Sequence, residues 1–277
     1  MLNIFADEVV EKPYPCVVSD SILPKSLFDQ LKADFPDAST FETTATDTGS
    51  EGSRAGKGTG FDIYRGDTAY DQLIERSSAW NELDAWINSA SFVDKYHELF
   101  GPYAKSIAIS ADIAASTYNR DYIEPRSVLK ARRTSAEAVA EMAHKVTRGL
   151  RSNRSVELFT RLDITRSLGG YAKPPHCDRP NRLCSLIIYF TDAEDVGLEG
   201  GDLLLFKAKQ ETTMANAPRY PKPDAVECIA QLRPKENRGV FFPCCNNSYH
   251  GVVGVTSNNI PRDFLYINIS GQVSSLW

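Results

Sequence analysis

The chain has 277 residues, of which 42% are hydrophobic and 24% charged, and its formal net charge is −5. This composition is typical of a globular protein with a sizeable core, and the charge favours neither nucleic acid nor an anionic membrane as a partner. No apolar run approaches the roughly 20 residues of a membrane span, and the first residues lack the pattern of a secretory signal. We therefore expect one cytoplasmic domain, residues 1–277, with six reduced cysteines.

Helical patterns dominate the first part of the chain. The segment PYPCVVSDSILP predicts a short strand and a turn, and the apolar spacing in residues 26–35 predicts a helix. Residues 39–60 are rich in Ser, Thr and Gly, so a mobile loop is expected there. Helical patterns return over 67–100, and 107–118 is expected to form a strand.

Residues 120–154 are basic within an acidic protein, with nine Lys and Arg against four Asp and Glu. Part of this segment has a helical apolar stripe at Val139, Met142, Val146 and Leu150. One interpretation is a solvated helix with ion pairs between successive turns. The other is a lid that attracts an anionic substrate.

From residue 156 the pattern changes to short strands separated by turns. The predicted strands are VELFTRLDITRS, RLCSLIIYF, GGDLLLF, AVECIAQL, GVFFP, SYHGVV and RDFLYINIS. Helices followed by strands predict an α+β protein, in which the helices support one face of an antiparallel sandwich or barrel.

Two of the four histidines stand in a pattern typical of metal ligands. His176 and Asp178 are two residues apart, so on an extended segment both side chains point to the same face. His250 precedes a Val-rich run and is the candidate third ligand, whereas His97 and His144 lie in helical patterns among charged residues. Two imidazoles and one carboxylate leave three positions open on an octahedral ion, which suits non-haem iron(II). A zinc site built from the same residues is an alternative.

The last predicted strand adds a candidate anion-binding residue. Alternation along RDFLYINIS places Arg262, Phe264 and Tyr266 on one face, with Leu265 and Ile267 on the other. The first set suits a ligand-lined interior, and a guanidinium there can bind a carboxylate through two hydrogen bonds. We therefore predict that Arg262 binds a carboxylate.

The stretch from 156 to 271 resembles the 2-oxoglutarate/iron(II) oxygenase superfamily, and most of all its prolyl-4-hydroxylase-like branch. The matching segments are GGYAKPPHCD, RLCSLIIYFTD, LEGGDLLLF and GVFFPCCNNSYHGVVGVTSNNIPRDF, with the lead-in PYPCVVSDSILPKSLFDQL. The resemblance implies a double-stranded β-helix, the jelly-roll or cupin-like core, over 156–277. It also implies supporting helices and a lid region within 1–155.

The site residues follow from the same resemblance. His176, Asp178 and His250 match the family's iron ligands, and Arg262 matches the residue that binds the far carboxylate of 2-oxoglutarate. The tyrosine that the family often has about ten residues before the first histidine is missing here. Ser185 and Tyr189 are therefore the candidates for the second 2-oxoglutarate contact.

The implied enzyme uses Fe(II), 2-oxoglutarate and O₂ and releases succinate and CO₂. It hydroxylates an unactivated C–H bond of a small-molecule substrate, for which an anionic metabolite is our expectation. Halogenation is disfavoured because related halogenases have a small residue where this chain has Asp178, whereas desaturation and cyclisation stay open. The alternatives are a peptidyl-prolyl hydroxylase and a metal-binding jelly-roll module without catalysis. No aromatic-and-basic array suits nucleic acid, and the oligomeric state is not predicted.

Overall fold

Helices come first and most strands follow in the computed structural model, which describes residues 1–48, 60–125, 155–210 and 218–277. The helices are α1 (Lys25–Ala33), α2 (Ala38–Thr48), α3 (Thr68–Arg76), α4 (Ser78–Ile87) and α5 (Ala90–Phe100). The strands are β1 (Val17–Ser19), β2 (Gly60–Tyr64), β3 (Thr117–Tyr118), β4 (Glu157–Ser167), β5 (Lys173–His176), β6 (Arg182–Tyr189), β7 (Leu203–Ala208), β8 (Val226–Leu232), β9 (Gly239–Pro243), β10 (Tyr249–Val252) and β11 (Arg262–Gly271). The predicted order of helices and strands is confirmed.

The described strands form two sheets. The larger sheet has seven strands in the order β1-β9-β6-β11-β4-β2, with β3 added parallel to β4. The smaller sheet has four strands in the order β5-β10-β7-β8. Except for the β3–β4 pair, neighbouring strands are antiparallel.

The larger sheet has a different partner on each face. Leu265, Ile267 and Ile269 of β11 belong to a core that also contains buried residues of α1, α3, α4 and α5. On the opposite face, Phe264 packs in a second core with Leu203 and Leu205 of the smaller sheet. The predicted alternation of β11 is therefore confirmed, and the polar side of this strand faces the space between the sheets.

The loop expected over 39–60 is wrong for its first part, because α2 extends to Thr48. Asp37 caps this helix, since its carboxylate accepts a hydrogen bond of 2.8 Å from the backbone N–H of Thr40. Phe41 and Ala45, one helical turn apart, are both buried and anchor the helix in the core. Residues 49–59 lie outside the described residues.

The strand expected over 107–118 is also wrong, except for the two residues of β3. The backbone N–H and the hydroxyl of Ser110 both donate to the carbonyl of Leu276, at 2.7 and 2.8 Å. Ile107 is buried and Ile113 packs against the core, but the segment turns instead of pairing with a strand. Of the basic segment, residues 126–154 lie outside the part of the chain that the structure describes.

Two global features complete the fold. No helix among the described residues is long and apolar enough to cross a membrane. All six cysteines are free thiols, and five of them are buried.

Candidate active site

Strand pairing brings the two candidate histidines together. His250 of β10 lies directly opposite His176 of β5, and their ring centroids are 4.4 Å apart. Asp178 follows β5, and its Oδ2 lies 3.6 Å from Nε2 of His250. One ligand atom from each of the three residues lies within 4.8 Å of the other two. The residues predicted as a triad thus form one cluster, with all three members buried.

Both imidazoles are oriented by backbone carbonyls. Nδ1 of His176 lies 2.9 Å from the carbonyl of Pro174, and Nδ1 of His250 lies 3.0 Å from that of Ser248. A carbonyl only accepts, so Nδ1 carries the proton and the lone pair is on Nε2. Burial lowers the pKa of His176 to about 3, helped by the charges of His250 and Lys173, and burial also lowers the pKa of His250. Both rings are therefore neutral, the form that binds a metal.

Four described side chains donate hydrogen bonds to the Asp178 carboxylate, and the longest comes from Sγ of Cys244 at 3.7 Å. Arg182 donates to Oδ1 at 3.0 Å, while the hydroxyls of Ser185 and Tyr266 donate to Oδ2 at 2.6 and 3.1 Å. Burial alone would raise the pKa of this carboxyl group, but the charge of Arg182 and the hydrogen bond from Ser185 act against it, and the pKa is held well below its usual range. Asp178 is thus a fixed, ionised carboxylate.

This donor set fits a non-haem iron ion. Two neutral imidazoles and one carboxylate supply three ligand atoms from one side, and the triad borders a cavity on the other. An octahedral ion held in this way keeps positions for a chelating co-substrate and for O₂.

The cavity lies between the two sheets and runs from the triad to Arg262. It occupies about 530 Å³ with its mouth included, and Asp178, His250 and Arg262 all line it. Asp62 and Lys173 also line the cavity, so strand β2, which the sequence analysis did not predict, contributes to the site.

Arg262 is a buried cation that keeps a free donor. Its Nε donates to the carbonyl of Gly201 at 2.7 Å, and its Nη2 donates to the hydroxyl of Tyr189 at 3.1 Å. Its Nη1 is buried and has no hydrogen-bond partner among the described residues. A buried guanidinium that has no carboxylate partner in the described part of the chain is unfavourable, so this end of the cavity is suited to an anionic group.

The two glycines of the LEGGDLLLF segment make room for this arrangement. Gly201 has φ +80°, and a Cβ atom there would lie 2.8 Å from Cδ of Arg262. At Gly200, with φ +75°, a Cβ atom would lie 1.9 Å from the carbonyl oxygen of Gly254. Only glycine fits both the backbone conformation and the space.

The six predicted site residues fall into two groups in the structure. His176, Asp178, His250 and Ser185 lie at the metal end, whereas Arg262 and Tyr189 are hydrogen bonded to each other at the far end. Sequence reasoning missed the roles of Arg182 and Tyr266, both of which bind Asp178. Arg182 stands four residues after Asp178 and Tyr266 shares a strand face with Arg262, so spacing and alternation were the available signals.

Removing a hydroxyl that holds Asp178 should weaken metal binding. For Ser185→Ala and for Tyr266→Phe we expect Fe(II) affinity to fall by about 10-fold, because outer contacts of a metal ligand typically contribute 10- to 100-fold. Anaerobic Fe(II) titration measures the effect. The control is Ser19→Ala, a substitution in β1 that belongs to neither of the two groups of predicted site residues. Unchanged affinity in both variants would contradict the role of these hydroxyls.

Comparisons with known proteins agree with this geometry. Residues 162–268 match the family model described as the 2OG-Fe(II) oxygenase superfamily, a range that includes the triad and Arg262. No curated protein shows significant sequence similarity to the chain.

Several solved structures are similar at low sequence identity. A prolyl 4-hydroxylase from Phytophthora capsici gives a TM-score of 0.46 at 16% identity, over 94% of this chain and 60% of that one. A Pseudomonas putida prolyl-4-hydroxylase gives 0.44 at 12% identity, over 93% of both chains. The non-haem α-ketoglutarate-dependent epimerase SnoN from nogalamycin biosynthesis gives 0.44 at 11%, over 92% of this chain and 76% of that one. This chain thus spans less than two thirds of the Phytophthora chain.

The similarity to this family lies in the same part of the chain as the cluster of candidate metal-binding side chains. Residues 162–268 match the family model, and the same range contains His176, Asp178 and His250. Over this range the chain is thus similar to the 2OG-Fe(II) oxygenase superfamily, which uses Fe(II), 2-oxoglutarate and O₂, and it carries a His–Asp–His group of the kind that binds iron.

Proposed function

We propose that this protein hydroxylates an unactivated C–H bond of a small molecule, with succinate and CO₂ as co-products. The observation that carries the proposal is the cavity that joins the triad at one end to the unpartnered Nη1 of Arg262 at the other. An α-keto acid with a second carboxylate is complementary to both ends.

Each site residue has a role in this proposal. His176, Asp178 and His250 hold Fe(II), which with 2-oxoglutarate and O₂ supplies the oxidant for the C–H bond. Arg262 binds the far carboxylate through Nη1, and Tyr189 orients the guanidinium from the other side. Ser185 was a candidate contact of 2-oxoglutarate, but its bond to Asp178 supports a role in fixing that ligand.

The fold supports the same assignment. Two antiparallel sheets with the metal residues between them are what a double-stranded β-helix requires. We propose that 156–277 form this jelly-roll core within one domain of residues 1–277, supported by the N-terminal helices. Desaturation and ring closure remain alternative outcomes of the same oxidation, and the anionic character of the substrate remains a prediction.

The proposed cofactor arrangement has a direct spectroscopic test. Anaerobic addition of Fe(II) and 2-oxoglutarate to the protein should produce a weak visible metal-to-ligand charge-transfer band, because the keto acid chelates the metal. Succinate, which cannot chelate in this way, is the control and should give no band. A folded protein that binds Fe(II) but gives no band with 2-oxoglutarate would refute the proposal.

A further inference from the structure

Two buried hydrogen-bond donors without partners lie on the inner face of the larger sheet, beyond the metal residues. Nη2 of Arg161 and Nδ2 of Asn268 are both buried and lack a hydrogen-bond partner among the described residues. Arg161 is 4% exposed and Asn268 is fully buried. The two residues are directly opposite each other in the β4–β11 pair, and neighbouring side chains of such a pair can reach one ligand atom.

Both donors are held in place by their remaining contacts. The guanidinium of Arg161 lies 3.8 Å over the ring of Tyr64, and its Nε and Nη1 donate to Asp163 and Glu124 at 2.6 and 3.3 Å. The amide oxygen of Asn268 accepts from Ser270 at 2.9 Å, which leaves the NH₂ group as the unpartnered end. A buried donor without a hydrogen-bond acceptor is unfavourable, so we expect an acceptor to bind to these two donors.

The location distinguishes this pair from the 2-oxoglutarate end. Asn268 lies opposite Ser185 on β6, and the Ser185 hydroxyl donates to Asp178. Along β11, Arg262 precedes the Asp178 contact Tyr266 by four residues, and Asn268 follows Tyr266 by two. At about 3.4 Å per residue, Arg262 lies about 14 Å and Asn268 about 7 Å along the strand from Tyr266, on opposite sides of it. The Arg161–Asn268 pair is therefore separate from the end of the site where Arg262 lies.

The charged side chains around Arg161 indicate which kind of acceptor can bind there. Arg161 is paired with Asp163 and Glu124, and Glu124 also lies 3.7 Å from Arg179. These two cations and two anions sum to zero formal charge. A carboxylate would bring an uncompensated charge into this buried cluster, whereas a carbonyl oxygen would accept both hydrogen bonds without that penalty.

We propose that Arg161 and Asn268 bind an uncharged carbonyl oxygen of the substrate, such as that of an amide, and so determine substrate specificity. This inference rests on the proposed function, because it assigns the second substrate of the same site. An anionic group elsewhere on the substrate would lie outside this pair, for example near Lys173 at the cavity wall.

Three compounds with one carbon skeleton test the proposal: cyclopentanecarboxamide, cyclopentanecarboxylate and cyclopentylmethylamine. Each is titrated into the anaerobic complex of the full chain with Fe(II) and 2-oxoglutarate, and binding is measured from the change in the visible band. Stimulation of succinate formation in air is the second readout. We expect the amide to bind at least about tenfold more tightly than the other two, as one good hydrogen bond allows.

Two substitutions at one position sharpen the test. Asn268→Leu removes the donor, so we expect the dissociation constant of the amide to rise at least about tenfold while the Fe(II)–2-oxoglutarate band persists. Asn268→Asp keeps the shape but replaces the donor with an acceptor, so preference should move to the amine. Ile267→Leu, whose side chain packs in the helix-facing core, is the matched control and should behave as the unaltered protein.

The outcomes separate the two proposals. Equal binding of the three compounds, no binding of the amide, or unchanged amide binding in both Asn268 variants would overturn the carbonyl subsite. Absence of the band in the unaltered protein would instead overturn the proposed function, and this inference with it.

Discussion

Asp178→Ala is expected to abolish succinate formation and also to lower the stability of the metal-free protein. The carboxylate is the anionic member of the triad, so its loss should reduce Fe(II) affinity by more than about 100-fold, the upper range for outer contacts. The same change breaks the buried ion pair between Asp178 and Arg182. Breaking a buried pair in this way destabilises a protein by about 3–5 kcal/mol.

The stability effect separates Asp178 from the other ligands. His176→Ala removes a hydrogen bond to a backbone carbonyl and ring contacts with Tyr220 and His250, but it breaks no ion pair among the described residues, so it should abolish succinate formation with a smaller change in melting temperature. For Asp178→Ala we expect the melting temperature to fall by roughly 6–20 °C, at about 2–4 °C per kcal/mol for a domain of this size. Exposed His97→Ala is the control for both measurements.

Succinate formation and calorimetry on the metal-free protein measure the two effects. Substantial activity in Asp178→Ala would mean that the metal assignment is wrong. A melting temperature equal to that of His176→Ala would instead mean that the Asp178–Arg182 ion pair contributes little to folding.

The metal end of the site could be predicted because its signals are local. His176 and Asp178 share a face through a two-residue spacing, and the alternation of β11 placed Arg262 with Tyr266. Strands β6 and β9 contain apolar runs bounded by turn residues, so their positions were also predictable. The pairing of His250 opposite His176 could not be predicted, because the order of strands in a sheet depends on contacts between residues that are distant in sequence.

The incorrect predictions have specific physical reasons. In α2, Ser and Thr obscure the helical spacing of Phe41 and Ala45, because these residue types favour caps and turns over helix interiors. Over 107–118, apolar residues that pack individually against the core gave a strand-like pattern. The hydrogen bond from Ser185 to Asp178, by contrast, was not predicted at all, because it depends on a distance that only the folded chain defines.

Arg262→Met is expected to raise the Michaelis constant for 2-oxoglutarate by at least about 30-fold. Truncating one partner of a buried, hydrogen-bonded charge pair typically costs 2–5 kcal/mol of binding free energy, or about tenfold for each 1.4 kcal/mol. Arg262→Lys keeps the charge but not the planar fork of donors, so its Michaelis constant should be intermediate. Steady-state kinetics in 2-oxoglutarate measure both variants, and an unchanged constant in Arg262→Met would argue against the assigned role.

The stability of the same variant provides an independent test. In the ligand-free protein Arg262 is a buried cation, 1% exposed, whose guanidinium has an unpartnered nitrogen and is stacked over the ring of Phe264 at 4.3 Å. Replacing it with apolar Met removes a buried cation but also its hydrogen bonds to Gly201 and Tyr189, so the two effects oppose each other and the melting temperature of ligand-free protein should change little, unlike that of Asp178→Ala. 2-Oxoglutarate should then stabilise the Fe(II)-loaded unaltered protein but not the variant, because stabilisation by a ligand requires binding. These results would show that Arg262 acts in ligand binding and not in folding. A large fall in the melting temperature of Arg262→Met would contradict that role.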